Sequence, residues 1–319
     1  MKKSVFALFY FMFLIHAELS IAEAKSNFKV TTIIEGLEHP WGMAFLPDNQ
    51  ILVTERPGRL RLIEHGRLHP QTITGLPKIA AEGQGGLLDV MLHPDYQNNG
   101  WIYFSFSAEG EGGIGTEAAR ARLEGMKLTD VEIIFRVEKK SDGGRHFGSR
   151  LVFDRDNYLY ISAGERGDRS RAQDTNDHAG SIIRLHDDGR VPKDNPFVDK
   201  RNEKPEIYSY GHRNPQGMTL HPETGEIWTH VHGPQGGDES NIINSGKNYC
   251  WPIITYGVNY GWGTKIGEGT HKSGMEQPLY YWDPSIAPSG MAFYDGDKFP
   301  QWRGDLFVGS LKFKLLLRL

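Results

Sequence analysis

The chain has 319 residues, of which 38 are glycine and 17 are proline, and its formal net charge at pH 7 is -4. This length is enough for a large hydrophobic core, while the scarcity of helix-favouring runs argues against a helical bundle. The mildly acidic balance, with no long basic run, argues against a nucleic-acid-binding surface. Because Cys250 is the single cysteine, an intramolecular disulfide is excluded.

Residues 1–24 have the pattern of an export signal. Lys2 and Lys3 precede an apolar run from Val5 to Ile15, and a small-x-small cleavage site ends at Ala24. The apolar run is about half as long as the roughly 20 residues that a membrane span needs. We therefore expect cleavage after Ala24 rather than a membrane anchor. The mature protein, residues 25–319, is then expected to be periplasmic or secreted and to have no membrane span.

One hairpin pattern recurs five times along the mature chain. Each copy has a glycine, an apolar strand, a turn containing Pro, Asp or Gly, and a second strand rich in β-formers. The glycines of the five copies are Gly42, Gly86, Gly148, Gly217 and Gly290. A β-sandwich also contains hairpins, but it is not expected to repeat one signature with lengthening inserts. The pattern therefore predicts an all-β propeller with at least five blades.

The fifth hairpin reaches its second strand near Gly309, close to the last residue, Leu319. A four-stranded blade occupies about 40 to 50 residues. We therefore expect the C-terminal blade to be truncated, with about 50 residues needed to complete a ring.

Polar residues stand just before several of the repeat glycines, notably Gln84, His146, Arg213 and Asn214. Equivalent positions of propeller blades converge on the central channel, so we expect these four side chains to face one ligand. An imidazole can accept a proton near neutral pH, and a guanidinium can stabilise negative charge that grows on an acceptor. The alternative is that these residues line the channel and hold water.

Two further stretches could complete such a site. Asp168 follows the second strand of the His146 repeat and is expected to hydrogen-bond the imidazole, although a surface turn held by salt bridges is the alternative. The glycine-rich loop of residues 232–241 offers backbone carbonyls beside carboxylates, which suits calcium. Its spacing does not match an EF-hand, so the residues alone leave metal binding open.

Seven short stretches carry a family resemblance when they are taken together. They are residues 39–42 (HPWG), 83–88 (GQGGLL), 145–148 (RHFG), 164–168 (GERGD), 211–217 (GHRNPQG), 233–239 (GPQGGDE) and 246–249 (GKNY). In content and order they resemble the soluble quinoprotein sugar dehydrogenases, in particular the periplasmic aldose sugar dehydrogenase branch. This resemblance implies a six-bladed β-propeller that carries pyrroloquinoline quinone (PQQ) and calcium.

The resemblance also implies an activity, which is the oxidation of aldose sugars at the anomeric carbon to lactones. His146 would be the base, Asp168 would orient it, and Arg213 would stabilise the developing charge together with calcium. The residues that match cofactor-binding positions are Gln84, Arg213, Asn214, His232 and Lys312. The residues that match metal-binding positions are Gly233 and Pro234 for the cofactor's calcium, and Glu239 and Tyr249 for a second, structural calcium.

Two other functions stay open at this point. A calcium-dependent propeller lactonase or other hydrolase would need acidic metal ligands that converge on the channel. A propeller that only binds a partner would need neither a base nor a carboxylate to orient it. The natural electron acceptor of a dehydrogenase is not indicated by the sequence.

Overall fold

The structure, a computed structural model, describes residues 28–319. The predicted signal peptide, residues 1–24, lies outside the described residues and stays a prediction. Residues 28–33 contain neither helix nor strand. Within the described part of the chain, no helix is long and apolar enough to cross a membrane.

Nineteen strands form five antiparallel sheets between Pro40 and Arg318. The first sheet contains β1 (Pro40–Phe45), β2 (Ile51–Glu55), β3 (Arg59–Glu64) and β4 (Arg67–Leu68). The second contains β5 (Leu87–Leu92), β6 (Trp101–Gly110), β7 (Gly113–Glu124) and β8 (Lys127–Arg136). The third contains β9 (Leu151–Phe153), β10 (Leu159–Ala163), β11 (Ser181–Leu185) and β12 (Ile207–Tyr210). The fourth contains β13 (Pro215–Leu220), β14 (Ile227–Val231), β15 (Asp238–Ile242) and β16 (Tyr280–Trp282). The fifth contains β17 (Pro288–Phe293), β18 (Leu306–Ser310) and β19 (Leu315–Arg318).

The helices of residues 28–319 are short. They are α1 (Tyr96–Asn99) and two 3-10 helices, Arg169–Gln173 and Pro300–Trp302.

Each sheet is one propeller blade, because its strands are consecutive in the chain and pair in chain order. The first strands of successive sheets contact one another, β1 with β5, β5 with β9, β9 with β13, and β13 with β17. The predicted all-β propeller is therefore confirmed. The prediction of six blades is wrong for the described chain, which forms five, the fifth with three strands. Each blade begins with its own glycine hairpin, and the sequence contains five of these, whereas the sixth blade came only from the family resemblance.

The repeated glycine marks an irregularity at the start of a blade. The pairing of the first strand with the second shifts register at Pro40/Met43, Leu87/Val90, Pro215/Gly217 and Pro288/Met291. Such a β-bulge bends the strand and changes the direction in which the side chains before it point. At Gly86, with φ of 143°, an added Cβ would collide with the carbonyl oxygen of Arg56. A glycine is therefore required where the chain enters this blade.

The hydrophobic core lies between neighbouring blades. One cluster joins Leu52 and Leu60 of the first sheet to Ile102 and Phe104 of the second. Similar clusters join the second sheet to the third, the third to the fourth, and the fourth to the fifth. A central blade is consequently covered on both faces, which explains why all five residues of β10 are buried.

Candidate active site

His146 lies in the loop that enters the third blade, between β8 and β9. Its side chain is buried, and its backbone has a φ of 57°. The backbone N–H of His146 donates to Gln84 Oε1 across 2.7 Å. The loop of the second blade that carries Gln84 therefore holds the histidine backbone in place.

The carboxylate of Glu165 contacts the imidazole of His146. Glu165 Oε1 lies 2.7 Å from His146 Nδ1, and both side chains are buried. Since the carboxylate accepts, Nδ1 carries the proton and Nε2 is left as the proton acceptor. The second oxygen, Glu165 Oε2, is also buried and has no hydrogen-bond partner among the described residues.

Opposing effects set the pKa of His146. Burial lowers it from 6.5, and the positive charges of Arg213 and Arg145 lower it further. The hydrogen bond to Glu165 and its charge act in the opposite direction. The net result is a pKa below 6.5, so the imidazole is neutral at pH 7 and able to take up a proton.

The prediction that Asp168 hydrogen-bonds the imidazole is wrong in this structure. Asp168 is exposed and precedes the 3-10 helix Arg169–Gln173. Its Oδ1 accepts from the backbone N–H of Ser170 at 3.1 Å and from the Ser170 hydroxyl at 2.6 Å. The chain turns away after Glu165, and this turn points Asp168 towards the helix that it caps.

Arg213 lies just before β13, in the loop that enters the fourth blade. Its Nη1 donates to the carbonyl oxygens of Gly233 at 2.7 Å and His232 at 3.1 Å. Burial lowers the pKa of Arg213. The guanidinium is therefore held against the Gly233 loop, near enough to His146 to affect its pKa.

Asn214 joins the entry loops of the third and fourth blades. Its Oδ1 accepts from the backbone N–H of Gly148 at 3.1 Å, and its side chain is buried. The backbone N–H of Glu165 in turn donates to the carbonyl oxygen of Arg213 at 2.9 Å. The entry loops that carry Gln84, His146, Arg213 and Asn214 thus contact one another, while the expectation that the four side chains face one ligand stays a prediction.

The loop from His232 to Gly237 forms a turn rich in carbonyl oxygens. A Cβ added to Gly233 would collide with the carbonyl oxygens of Gly236 and Gly237. The buried carboxylate of Asp238 fixes this turn, because it accepts from the N–H of Gly233 at 2.9 Å. The His232 ring is held by the carbonyl oxygen of Pro288. Burial lowers the pKa of His232 and leaves the imidazole neutral.

A cavity of about 450 Å³ adjoins this turn. Its lining includes Pro234, Gln235, Tyr256, Tyr260, Asp283 and Lys312. The structure therefore places the predicted Lys312 beside the predicted Pro234, although the two lie in different blades.

Glu239 and Tyr249 line a small cavity of about 10 Å³, which they share with His212 and Trp251. Burial raises the pKa of Glu239 to about 7. The Tyr249 hydroxyl donates to the carbonyl oxygen of Ile242 at 2.5 Å. In residues 28–319 no group of three or more His, Cys, Asp or Glu side chains could hold a metal ion. The structural calcium predicted at Glu239 and Tyr249 stays a prediction.

Several known proteins are similar to this chain in both sequence and fold. Residues 37–319 match the family described as Glucose / Sorbosone dehydrogenase. The chain belongs to this family. Aldose sugar dehydrogenase YliI of Escherichia coli (strain K12) is 46% identical over 312 residues, which cover 96% of this chain and 84% of the relative.

Solved structures agree with this membership of the glucose/sorbosone dehydrogenase family. The protein in a crystal structure of glucose dehydrogenase has 49% sequence identity to this chain and a TM-score of 0.88. The match covers 91% of this chain and 85% of that protein's chain. The structure of the PQQ-bound form of aldose sugar dehydrogenase from Streptomyces coelicolor has 29% sequence identity to this chain and a TM-score of 0.74. The match covers 91% of this chain and 79% of that protein's chain.

In this glucose/sorbosone dehydrogenase, sequence reasoning missed Glu165 and Tyr260. A signal for Glu165 was present, because Gly164 stands before it at the end of β10. A Cβ on Gly164 would collide with the carbonyl oxygen of His146. The glycine thus allows the two backbones to approach, and this brings the next residue to the imidazole. Tyr260 lies in a long insert and had no comparable signal.

Proposed function

We propose that this protein is a PQQ- and calcium-dependent aldose dehydrogenase, which oxidises the anomeric carbon of a sugar to the lactone. The observation that carries the proposal is the buried His146–Glu165 pair beside Arg213, in a chain of the glucose/sorbosone dehydrogenase family. A relative named aldose sugar dehydrogenase and a similar structure with PQQ bound support this choice of substrate and cofactor.

His146 would act on the hydroxyl group of the anomeric carbon. Its neutral Nε2 takes the hydroxyl proton while the C–H bond of the same carbon breaks and its hydride leaves, so that the carbon becomes the carbonyl of the lactone. Glu165 stabilises the imidazolium that forms and prevents rotation of the ring. The Arg213 guanidinium stabilises negative charge that develops on the hydride acceptor.

The residues present fit PQQ, an anionic quinone with three carboxyl groups. The cavity of about 450 Å³ is large enough for a small cofactor and is lined by Lys312. Arg213 and Asn214, both buried, would also contact the cofactor, as would Gln84 and His232. Bound PQQ would supply the two-electron acceptor for the hydride.

The carbonyl-rich turn at Gly233 fits calcium, which prefers oxygen ligands. Gly233 and Pro234 would supply two of these through their carbonyl oxygens, and the first of them is shared with Arg213. A second calcium would lie at Glu239 and Tyr249, where a space of about 10 Å³ matches a single small ion or water. The export signal predicted at residues 1–24 would place the activity in the periplasm or outside the cell.

The test is reconstitution of the purified protein with PQQ and calcium, followed by reduction of an artificial dye with glucose or another aldose. In the His146→Ala variant we expect PQQ binding, followed by absorbance, to be retained and turnover to fall about 10²- to 10⁴-fold. Complete removal of calcium by a chelator should abolish turnover, and calcium with PQQ should restore it.

The matched control is His65→Ala, which removes an exposed histidine in the turn between β3 and β4. This variant should reduce the dye at the wild-type rate. Near wild-type turnover by His146→Ala would show that the base is another group. Turnover that survives complete removal of calcium would rule out a part for the metal.

A further inference from the structure

Arg166 is a buried cation in the turn that follows β10. Its Nη1 donates to the carbonyl oxygen of Arg145, and its Nη2 donates to the carbonyl oxygen of Gly143. The guanidinium also lies 3.4 Å from the centre of the Phe147 ring, where it makes a cation–π contact. All three contacts are to the loop that carries His146.

The peptide group in front of His146 is held at both its oxygen and its N–H. The carbonyl of Arg145 and the N–H of His146 belong to one planar peptide unit. Arg166 donates to its oxygen, and Gln84 Oε1 accepts from its N–H across 2.7 Å. The plane from which the His146 side chain projects is therefore fixed from two sides.

The loop needs this support because its backbone is in an unfavourable conformation. His146 and Ser149 have φ of 57° and 77°, in the left-handed region that is uncommon for residues other than glycine. Such conformations persist only where the surrounding structure over-determines them. Without the Arg166 bonds the loop should relax and move the imidazole away from Glu165.

The charge of Arg166 is costly at this position. Burial, with the charge of Arg171 acting in the same direction, lowers the pKa of Arg166 to about 10, so the side chain is still cationic at pH 7. Its Nε is buried and has no hydrogen-bond partner among the described residues. A buried charge is weak evidence for stability. A planar fork that reaches two carbonyl groups is instead suited to fixing the course of a loop.

We propose that Arg166 is a positioning residue for the base, which acts on the backbone in front of His146 while Glu165 acts on the ring. The proposal rests on the proposed function, in which His146 accepts the proton. Two consecutive residues thus hold one histidine, Arg166 through the carbonyl of Arg145 and Glu165 through Nδ1. Because a misplacement of about 1 Å can cost about 10²-fold in rate, this support affects kcat rather than sugar binding.

The test is Arg166→Met in the protein reconstituted with PQQ and calcium. We expect kcat to fall about 10- to 100-fold and the KM for glucose to stay within about threefold of wild type. Arg166→Lys keeps the charge but has no planar fork, so its kcat should lie between those of wild type and Arg166→Met.

Arg171→Met is the matched control. Arg171 forms an ion pair with Asp177 at 2.8 Å and makes no printed bond to the loop of His146, so its loss should lower stability in urea while kcat stays within about twofold of wild type. An equal loss of kcat in Arg171→Met and Arg166→Met would overturn the positioning role.

A second measurement is independent of turnover. In protein with isotope-labelled histidine, the proton on His146 Nδ1 should give a magnetic resonance signal far downfield because of its bond to Glu165. The signal is assigned by its absence in His146→Ala. It should be lost in Arg166→Met at pH 7 and retained in Arg171→Met.

Wild-type kcat together with an unchanged signal in Arg166→Met would overturn the proposal. If Arg166→Met does not fold, Arg166→Lys takes its place, and wild-type kcat and signal in that variant would overturn the proposal equally. If the wild-type protein oxidises no aldose, the proposed function fails, and the signal alone then decides whether Arg166 positions His146.

Discussion

The His146 imidazole depends on one neighbouring carboxylate for both its pKa and its orientation. Burial and two arginine charges lower the pKa, and Glu165 is the group that acts against them. The same carboxylate accepts from Nδ1 and so determines which nitrogen carries the proton. Loss of its charge should therefore impair the base in two ways at once.

We predict that Glu165→Gln lowers turnover about 10²- to 10⁴-fold. The amide NH₂ can donate to Nδ1, which favours the tautomer with its proton on Nε2 and removes the acceptor nitrogen. The measurement is kcat at saturating sugar, together with the pH dependence of kcat/KM. In the wild type the acid limb of that profile should lie below pH 6.5, because the pKa of His146 is lowered.

Asp168→Asn is the matched control, since it removes a carboxylate three residues away. Asp168 is exposed and bonded to Ser170, so turnover should stay within about twofold of wild type. A large loss with Asp168→Asn and a small one with Glu165→Gln would assign the orienting role to Asp168.

At the scale of a single strand, β14 carries a completely buried histidine, His230. His230 packs against Gly217 of the neighbouring β13, where an added Cβ would collide with its ring. In the described part of the chain neither ring nitrogen makes a well-formed hydrogen bond. Burial holds its pKa well below 6.5 and the charges of His232 and Arg150 act in the same direction, while the backbone groups of Ser289 and His230 act in the opposite direction.

We predict that this strand makes the fold sensitive to acid. Below pH 6.5 the unfolded chain protonates His230 while the folded chain does not, so stability falls with pH by up to about 1.4 kcal/mol per pH unit. His230→Leu should therefore lose less stability than wild type between pH 7 and pH 5. Urea unfolding at the two pH values measures this difference.

His65→Leu is the control for this experiment, because His65 is exposed. Its stability should change with pH as in the wild type. Identical pH dependence of His230→Leu and wild type would mean that the buried histidine is protonated in the folded protein.

At the scale of the whole molecule, Arg150 connects four blades. It stands at the start of the third blade, and its Nη1 donates to Asp89 Oδ1 of the second blade at 2.9 Å. Its Nε donates to the carbonyl oxygen of Gln216 in the fourth blade at 3.1 Å. Its guanidinium lies 4.2 Å from the centre of the Trp41 ring in the first blade. One side chain thus holds together the first strands of four blades.

We predict that Arg150→Met lowers the free energy of unfolding by about 3 to 5 kcal/mol, because it leaves the buried Asp89 carboxylate without its charged partner. Burial raises the pKa of Asp89, and the Arg150 charge is the largest influence in the opposite direction. Urea unfolding at pH 7 measures the loss.

The double variant Arg150→Met with Asp89→Asn tests whether the uncompensated charge of Asp89 causes this loss of stability. It removes the uncompensated charge but keeps an oxygen that can accept from the N–H of Leu151, as Asp89 Oδ2 does at 2.9 Å. It should be more stable than Arg150→Met alone. A loss below about 1 kcal/mol for the single variant would show that the pair contributes no more than a surface salt bridge.

The sequence by itself determined the architecture of the repeated unit. The strands of a blade are consecutive in the chain, so a blade is built from local pairings that recur with the same glycine, turn and strand pattern. The glycine pattern is local as well, because a bulge depends on φ and on the absence of a Cβ at one position. Because every blade repeats this pattern, the residues in front of the glycines could be predicted to lie near one another at the central channel.

Only the tertiary structure decided which side chains meet. Glu165 and Asp168 both follow β10 and carry the same functional group, and the turn between them determines that Glu165 reaches His146. The bond from Arg213 to Gly233 and the cavity that Tyr260 and Lys312 line together join segments that no local pattern relates. Such contacts depend on how loops of different blades pack over the channel, and this packing depends on the whole folded chain.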